Sequence, residues 1–511
     1  MLCTRRVFGR QLMIQSKTGK KQFRSSLWLK LDRSYWTGHP FRSSGRMDSN
    51  SKPSTPHPDG ATQDPSYDGL SDRALKAFSV SPAFNDYLSR TKHNKYHPET
   101  NPQGVVAFGL AENKVAVDVL QPKLEAIAAR KEDPKIYSYG DTVGETGFRH
   151  SLKRFLEHNF HPLQELDINQ LIVTNGVTVL LENLAFALAS PGEYIMIPKP
   201  YYYRLILDFV ERPGVNILPV EQPLPSDTKD NRYALDVPAL EAAYLQAVRE
   251  GKVVRAIHIT NPSNPTGDIY TAQELRDLLD FAHRYNLHVI ANELYGLSTY
   301  DPQVDFTSIL SLPQPDPGRV HFLWGFSKDF GLSGIRISAM YTRHPGLLRF
   351  SRQTGIYIRP TEMGQNRLKH LIDDTDYIDT QALPEVRRRM WARHQSVKQQ
   401  IEACGGRVHP SPATIFRWLD LSSFLTTPDL EGERDLFDRL YKAGVHLMSG
   451  ESLGHSLPGW FRMVAALEDF AHTEGMNRLV SVLNEIRRER QQQNKTASRS
   501  SRDDISGMNV F

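Results

Sequence analysis

Seven short runs rich in aliphatic and β-branched residues recur between residues 171 and 342, and they restrict the fold more than any other feature of this chain. They are LIVTN from 171, YIMIP from 194, NILPV from 216, RAIHIT from 255, LHVIAN from 287, VHFLWGF from 320 and GIRISAMYT from 334. Most are continuously apolar rather than alternating, the pattern of strands covered on both faces by helices. The helical stretch beginning near Ala272 fits this reading. Thr271 and Glu274 predict a capping box, and Leu275, Leu278, Leu279 and Ala282 form one apolar stripe. A mostly parallel seven-stranded α/β sheet follows. Charged helical segments at 384–403 and 432–443, with short strands at 415–421 and 460–466, predict a second, smaller α+β domain.

Charge and composition mark where the folded body lies. Residues 1–46 hold eleven Lys/Arg and one acid, Asp32, a net +10; with +4 for the whole chain, residues 47–511 carry −6. The mildly acidic body argues against a nucleic-acid partner. The Arg- and Ser-rich head has the composition of a mitochondrial transit peptide, or is a poorly structured extension ahead of Met47. The expected location is cytoplasmic, or the mitochondrial matrix through that head. The longest apolar run, Leu180 to Ala189, is interrupted by Glu182 and Asn183. It falls short of the ~18 residues a membrane helix needs. Cys3 and Cys404 are the only cysteines, too few for a disulfide framework or a multi-thiolate zinc site, and the histidines show no metal-ligand spacing. The expected division is a disordered extension over 1–69, an arm and part of the small domain over 70–130, a large domain over 131–365, a small domain over 366–488 and a disordered tail over 489–511.

Four segments concentrate unusual chemistry. Gly325-Phe-Ser-Lys-Asp-Phe-Gly-Leu-Ser-Gly-Ile-Arg336 places Lys328 just beyond a buried strand, where a lysine can have a depressed pKa and form a Schiff base. Asn261-Pro-Ser-Asn-Pro-Thr-Gly267 fixes a tight loop that presents the Asn264 amide. Asn292-Glu-Leu-Tyr295 ends the run LHVIAN, and Pro458-Gly-Trp-Phe-Arg462 lies in the small domain. Singly, each reads as an ordinary turn, strand end or surface arginine; together and in this order those readings become improbable.

With Gly109-Leu-Ala-Glu-Asn-Lys114, these segments resemble the class I aminotransferase superfamily, and more narrowly its 1-aminocyclopropane-1-carboxylate (ACC) synthase-like branch, over about residues 95–485. The resemblance implies the type I fold of pyridoxal 5'-phosphate (PLP) enzymes such as aspartate aminotransferase, with PLP as cofactor and a small α-amino acid as substrate. It also implies a homodimer with a shared active site. By the same resemblance, Lys328 carries the cofactor and moves protons, with Ser327 beside it, and Arg336 binds the phosphate. Val177 and Thr178, in Asn175-Gly-Val-Thr178, offer a helix N-terminus to that phosphate. Tyr202 stacks on the ring, with Tyr201 as the alternative, while Asn264 and Tyr295 hydrogen-bond the cofactor's phenolic oxygen. Arg462 holds the substrate carboxylate, Glu112 orients the substrate, and Tyr139 reaches the partner's phosphate.

Three positions depart from the family pattern. Asn292 stands where an Asp pairs with the protonated pyridine nitrogen, and an amide cannot supply that charge. Gly325 stands where many relatives have a phosphate-binding serine. Thr142 stands where plant ACC synthases place an interface tyrosine. Two functions remain open at this stage. One is elimination, deamination or transamination of a small α-amino acid, with true ACC synthesis from S-adenosylmethionine disfavoured by Asn292. The other is a catalytically weak PLP-binding protein with a scaffold or interaction role.

Overall fold

The computed structural model describes residues 69–78 and 89–506, with side chains through residue 494. The basic head, and with it the transit-peptide reading, lies outside the described residues. All seven apolar runs form strands: β1 Leu171–Thr174, β2 Tyr194–Pro198, β3 Asn216–Val220, β4 Val254–Thr260, β5 His288–Asn292, β6 Val320–Gly325 and β7 Ser338–Thr342. They make one sheet in the order β1-β7-β6-β5-β4-β2-β3. Only β7 is reversed, pairing antiparallel with β1 and β6. Pro219 is accommodated because β3 is the sheet edge. The last run starts later than its apolar character suggests: Ser333–Ile335 form a short 3₁₀ turn and Arg336 is left-handed at φ 59°, so β7 begins only at Ser338.

Burial on both faces explains the unbroken apolar runs. Ile172, Ile195, Ala256, Ile290, Leu323 and Met340 face the helix Val177–Leu188. Val173, Met196, Ile257, Val289, Phe322 and Tyr341 pack with the helices Thr146–Phe160, Val237–Arg249 and Ala272–Arg284. The expected capping box is formed, with Glu274 N–H donating to Thr271 Oγ1 at 3.2 Å and Thr271 N–H to Glu274 Oε2 at 2.7 Å.

A second, antiparallel sheet of four strands contains Phe416–Asp420 beside Trp460–Val464. The two-residue strand Val106–Ala107 pairs with Val445–His446, tying the early chain to this region. The two sheets share a core, because the apolar cluster on the first face of the large sheet continues through Phe416, Leu419, Leu479 and Val482. Of the tail expected to be disordered over 489–511, the described part is instead helical: the last helix runs Asp469–Ser506. Its docked part is held by Arg439, which pairs with Glu485 and Glu489. The following RRERQQQNKTASRSSRDD contains neither Pro nor Gly, so nothing local stops propagation. Among the described residues no helix is long and apolar enough to cross a membrane.

Candidate active site

The chemistry-bearing residues gather where parallel strands β1, β4, β5 and β6 end, the usual place for a ligand on such a sheet. Beyond β1 the chain passes through Gly176, at φ 96° and ψ 155°, into the helix Val177–Leu188, whose N-terminus no side chain caps. Arg336 lies against that turn: a methyl built on Gly176 would come within 2.8 Å of Arg336 Cζ and closer still to Nη2. Arg336 is exposed, donates to Ser333 O at 3.1 Å, and has no carboxylate partner among the described residues. Outward-facing N–H groups at Val177 and Thr178, an unpaired guanidinium and a glycine-only approach together make an anion site.

Lys328 follows β6. Its amine donates to Ala111 O, and its own carbonyl accepts from Asn113 Nδ2 at 2.9 Å. Asn113 also caps the helix Lys114–Ala128, so the Gly109–Lys114 segment and the lysine loop hold each other. The side chain keeps some accessible surface on the cleft, yet its surroundings are dense with protein. Burial, and then the Arg462 charge, lower its pKa to about 8. Glu112 acts in the opposite direction, although it is itself bridged to Lys114 at 3.0 Å. Asp329, next in the chain, accepts from Trp324 Nε1 at 2.9 Å, Ser298 Oγ at 2.5 Å and Leu297 N–H at 3.2 Å, which anchors the lysine loop to the sheet.

Arg462 is fully buried, with Nη1 donating to Asn264 Oδ1 at 2.9 Å and Nη2 to Gly109 O at 2.8 Å. Its Nε has no acceptor, and no carboxylate pairs with it among the described residues. Its guanidinium lies 4.4 Å from the Phe416 ring centroid and 5.8 Å from that of Tyr202. Asn264 is buried and precedes a cis peptide to Pro265. Tyr295 is buried against Phe416, at 5.4 Å between ring centroids, and burial raises the pKa of both Tyr202 and Tyr295. At the end of β5, the buried Asn292 leaves its Oδ1 without a hydrogen-bond partner.

Of the residues singled out from sequence, Lys328, Arg336, Val177, Thr178, Asn264, Asn292, Tyr295, Tyr202, Arg462 and Glu112 fall in or beside this cleft. Ser327 is buried next to the lysine. Tyr139 is not brought to it: its side chain is 98% exposed, with Arg359 over its ring at 5.5 Å. The Gly325 departure has a steric reason. Gly325 pairs with Ser338, and a methyl at Gly325 would meet Ser338 Cβ at 2.8 Å. The hydroxyl at this level of the sheet belongs to Ser338, bonded to Thr174 Oγ1 at 3.0 Å. Sequence reasoning missed Asn113, Ser338 and Asp329; only the N-cap position of Asn113 and the Lys-Asp pair carried a signal.

A cradle only glycine can line, a largely buried lysine of low pKa, two tyrosine rings and an orphaned polar atom at a strand end are features that fit PLP. Fold and site together define a PLP-dependent protein of fold type I. Residues 106–479 match the sequence family aminotransferase class I and II. The chain belongs to that family, and within it to the ACC synthase-like proteins. It is 33% identical over 407 residues to the human "probable inactive 1-aminocyclopropane-1-carboxylate synthase-like protein 2", covering 79% of this chain and 71% of that one. It is 32% identical over 397 residues to the human 1-aminocyclopropane-1-carboxylate synthase-like protein 1, covering 77% and 79%. Among solved structures, N-succinyldiaminopimelate aminotransferase from Mycobacterium tuberculosis superposes with a TM-score of 0.65 at 19% identity, covering 81% of this chain and all of that one.

Proposed function

We propose that this protein is a PLP-dependent enzyme acting at Cα of a small α-amino acid, by elimination, deamination or transamination. The observation that carries the reading is Arg462: a fully buried guanidinium with a free Nε and no carboxylate partner among the described residues, set beside a lysine of lowered pKa. A buried cation left in that state is poised for an anion from outside the chain, and a substrate carboxylate matches its fork. Bound PLP supplies the electron sink for the carbanion at Cα. The protein's own groups divide the remaining work. Arg336 and the Val177–Thr178 N-terminus hold the phosphate. Tyr202 packs on the ring, Asn264 and Tyr295 address its phenolic oxygen, and Arg462 fixes the substrate carboxylate. Lys328, whose pKa lowered to about 8 leaves about one-fifth of it unprotonated at pH 7.4, takes and returns the Cα proton, with Glu112 at the cleft edge to orient the substrate.

We further propose a homodimer. Tyr139, Ile356 and Tyr357 are highly exposed, and the exposed Phe186 ring stacks on Phe350, on the same helix as Ile356 and Tyr357. In that assembly Tyr139 reaches the phosphate site of a second copy.

Asn292 favours a second reading, a PLP-holding protein with little turnover, since its amide supplies no charge to the pyridine nitrogen. Absorption spectroscopy of the full chain with PLP, titrated with vinylglycine, S-adenosylmethionine and common amino acids, separates the readings. The proposal expects a visible band that one amino acid shifts, with keto-acid formation. A band that none disturbs leaves the second reading, and no band refutes both.

A further inference from the structure

The floor beneath the cleft holds a buried histidine that neither the site nor the family assignment uses. Strands β4 and β5 pair Thr260 with Asn292 and His258 with Ile290. Side chains two residues apart share a face, so His258, Thr260 and Asn292 all project from the same side of the sheet. Ala256, Ile290, Leu323 and Phe209 form the core of that face, and the Phe209 ring meets the imidazole edge-on at 5.8 Å between centroids. His258 is 1% exposed, and neither ring nitrogen has a hydrogen-bond partner on any other residue. Burial lowers its pKa to about 3, so the ring is neutral, with one N–H donor. Asn292 Oδ1, diagonally across the strand pair, is a buried acceptor in the same unpaired state. With parallel strands ~4.8 Å apart and a rise of ~3.3 Å per residue, diagonal positions lie ~8 Å apart at the backbone, which an imidazole and an amide arm reaching toward each other can span. The two orphans are complementary, a donor and an acceptor.

We propose that His258 is the positioning residue for the Asn292 amide: its ring N–H donates to Asn292 Oδ1, which turns Nδ2–H toward the pyridine nitrogen of the cofactor. There the amide donates to the nitrogen lone pair, and the ring stays uncharged. This rests on the PLP reading above and goes beyond it. The chain does not merely lack the family carboxylate; it has a built neutral-ring support, and His258 polarises the amide that forms it.

The test uses the full chain reconstituted with PLP, reading the dissociation constant and the position of the visible band for wild type, His258→Leu and His258→Gln, each also in an Asn292→Ala background. The expected result is about three- to tenfold weaker PLP binding and a shifted band in His258→Leu, the loss of one neutral hydrogen bond. His258→Gln, which keeps a side-chain N–H, restores both, and His258→Leu has no further effect once Asn292 is alanine. Equal weakening in both backgrounds, or an unmoved band with only a lowered melting temperature, gives His258 a purely structural role and overturns the proposal. Wild type that binds no PLP overturns it together with the cofactor reading, and that outcome is distinct from binding without coupling.

Discussion

Replacing Gly176 by alanine tests the anion site at its narrowest point. Gly176 sits at φ 96° and ψ 155°, close to a region of backbone space that essentially only glycine occupies, and a side chain there costs about 1–3 kcal/mol in strain. The added methyl would also stand 2.8 Å from Arg336 Cζ, so the guanidinium must leave its place over the helix N-terminus. Losing one charge-assisted contact to a phosphate is worth about 1.5–3 kcal/mol, or roughly 10- to 150-fold in affinity at 1.4 kcal/mol per tenfold. Gly176→Ala should therefore lose stability in urea unfolding and bind PLP more weakly by that factor in a fluorescence titration. The two effects separate in an Arg336→Ala background. There the strain remains, but the affinity loss from Gly176→Ala shrinks to within about twofold, because the group it displaces is gone. If Gly176→Ala weakens PLP binding just as much without Arg336, the displacement argument is wrong. If Arg336→Ala leaves affinity unchanged, the anion site is misplaced.

Other consequences follow from single groups. With its pKa lowered to about 8, Lys328 is about one-fifth unprotonated at pH 7.4, against less than about a thousandth for an ordinary lysine. The rate of PLP attachment by the apo-protein should rise with pH and reach half its plateau near pH 8; a rise continuing to pH 10 contradicts the burial argument, and Lys328→Ala should show no visible band. Arg462→Met should weaken amino-acid binding by about 10²- to 10³-fold while PLP stays bound, as removal of a buried charge partner does; loss of PLP instead would tie Arg462 to the cofactor. Asn292→Asp should raise turnover by at least about tenfold if a charged ring limits the rate, equivalent to 1.4 kcal/mol of barrier; an unchanged rate means that the site is adapted to a neutral ring. Burial pushes the Glu293 carboxyl up to about 8, so the folded state keeps a proton that the unfolded chain releases above about 4.5. That contribution to stability is complete below pH 4.5 and is lost as pH rises toward 8. Glu293→Gln should accordingly gain on wild type by up to ~1.4 kcal/mol per pH unit across that window, and parallel stability profiles would contradict it.

What was legible in the sequence was whatever a strand end or a short motif carries locally. The strands could be read because most are buried on both faces and their runs are mostly apolar. Several site residues could be read because they sit within a few positions of such a run: Thr260 leads to Asn264, Asn292 to Tyr295, Gly325 to Lys328. Relations across the sheet were not legible. That Ser338 lies opposite Gly325, so that a missing hydroxyl on one strand is present on its neighbour, depends on antiparallel register. Asn113 reaches the Lys328 carbonyl across 215 residues, and no periodicity encodes such a contact. The C-terminal helix was misread because polarity was taken for disorder. A polar segment free of Pro and Gly can extend a helix whose root is anchored in the core.

These relations separate two properties that the family normally joins. Lys328, Arg336 and Arg462 converge on one cleft, and Glu112, the carboxylate that acts on Lys328, already answers to Lys114. Such a site is under-neutralised and favours a ligand with two anionic ends, as a phosphorylated cofactor joined to an amino acid would be. Binding depends on those three cations and on the Gly176 approach, all of which are present. On the proposed function, turnover depends also on the far end of the cofactor ring, where Asn292 stands in place of a carboxylate and the neutral His258 lies on the same face of the sheet. Under the proposed function the chain holds cofactor and amino acid through one set of residues while its rate is set by one amide, so affinity and rate will respond to different substitutions.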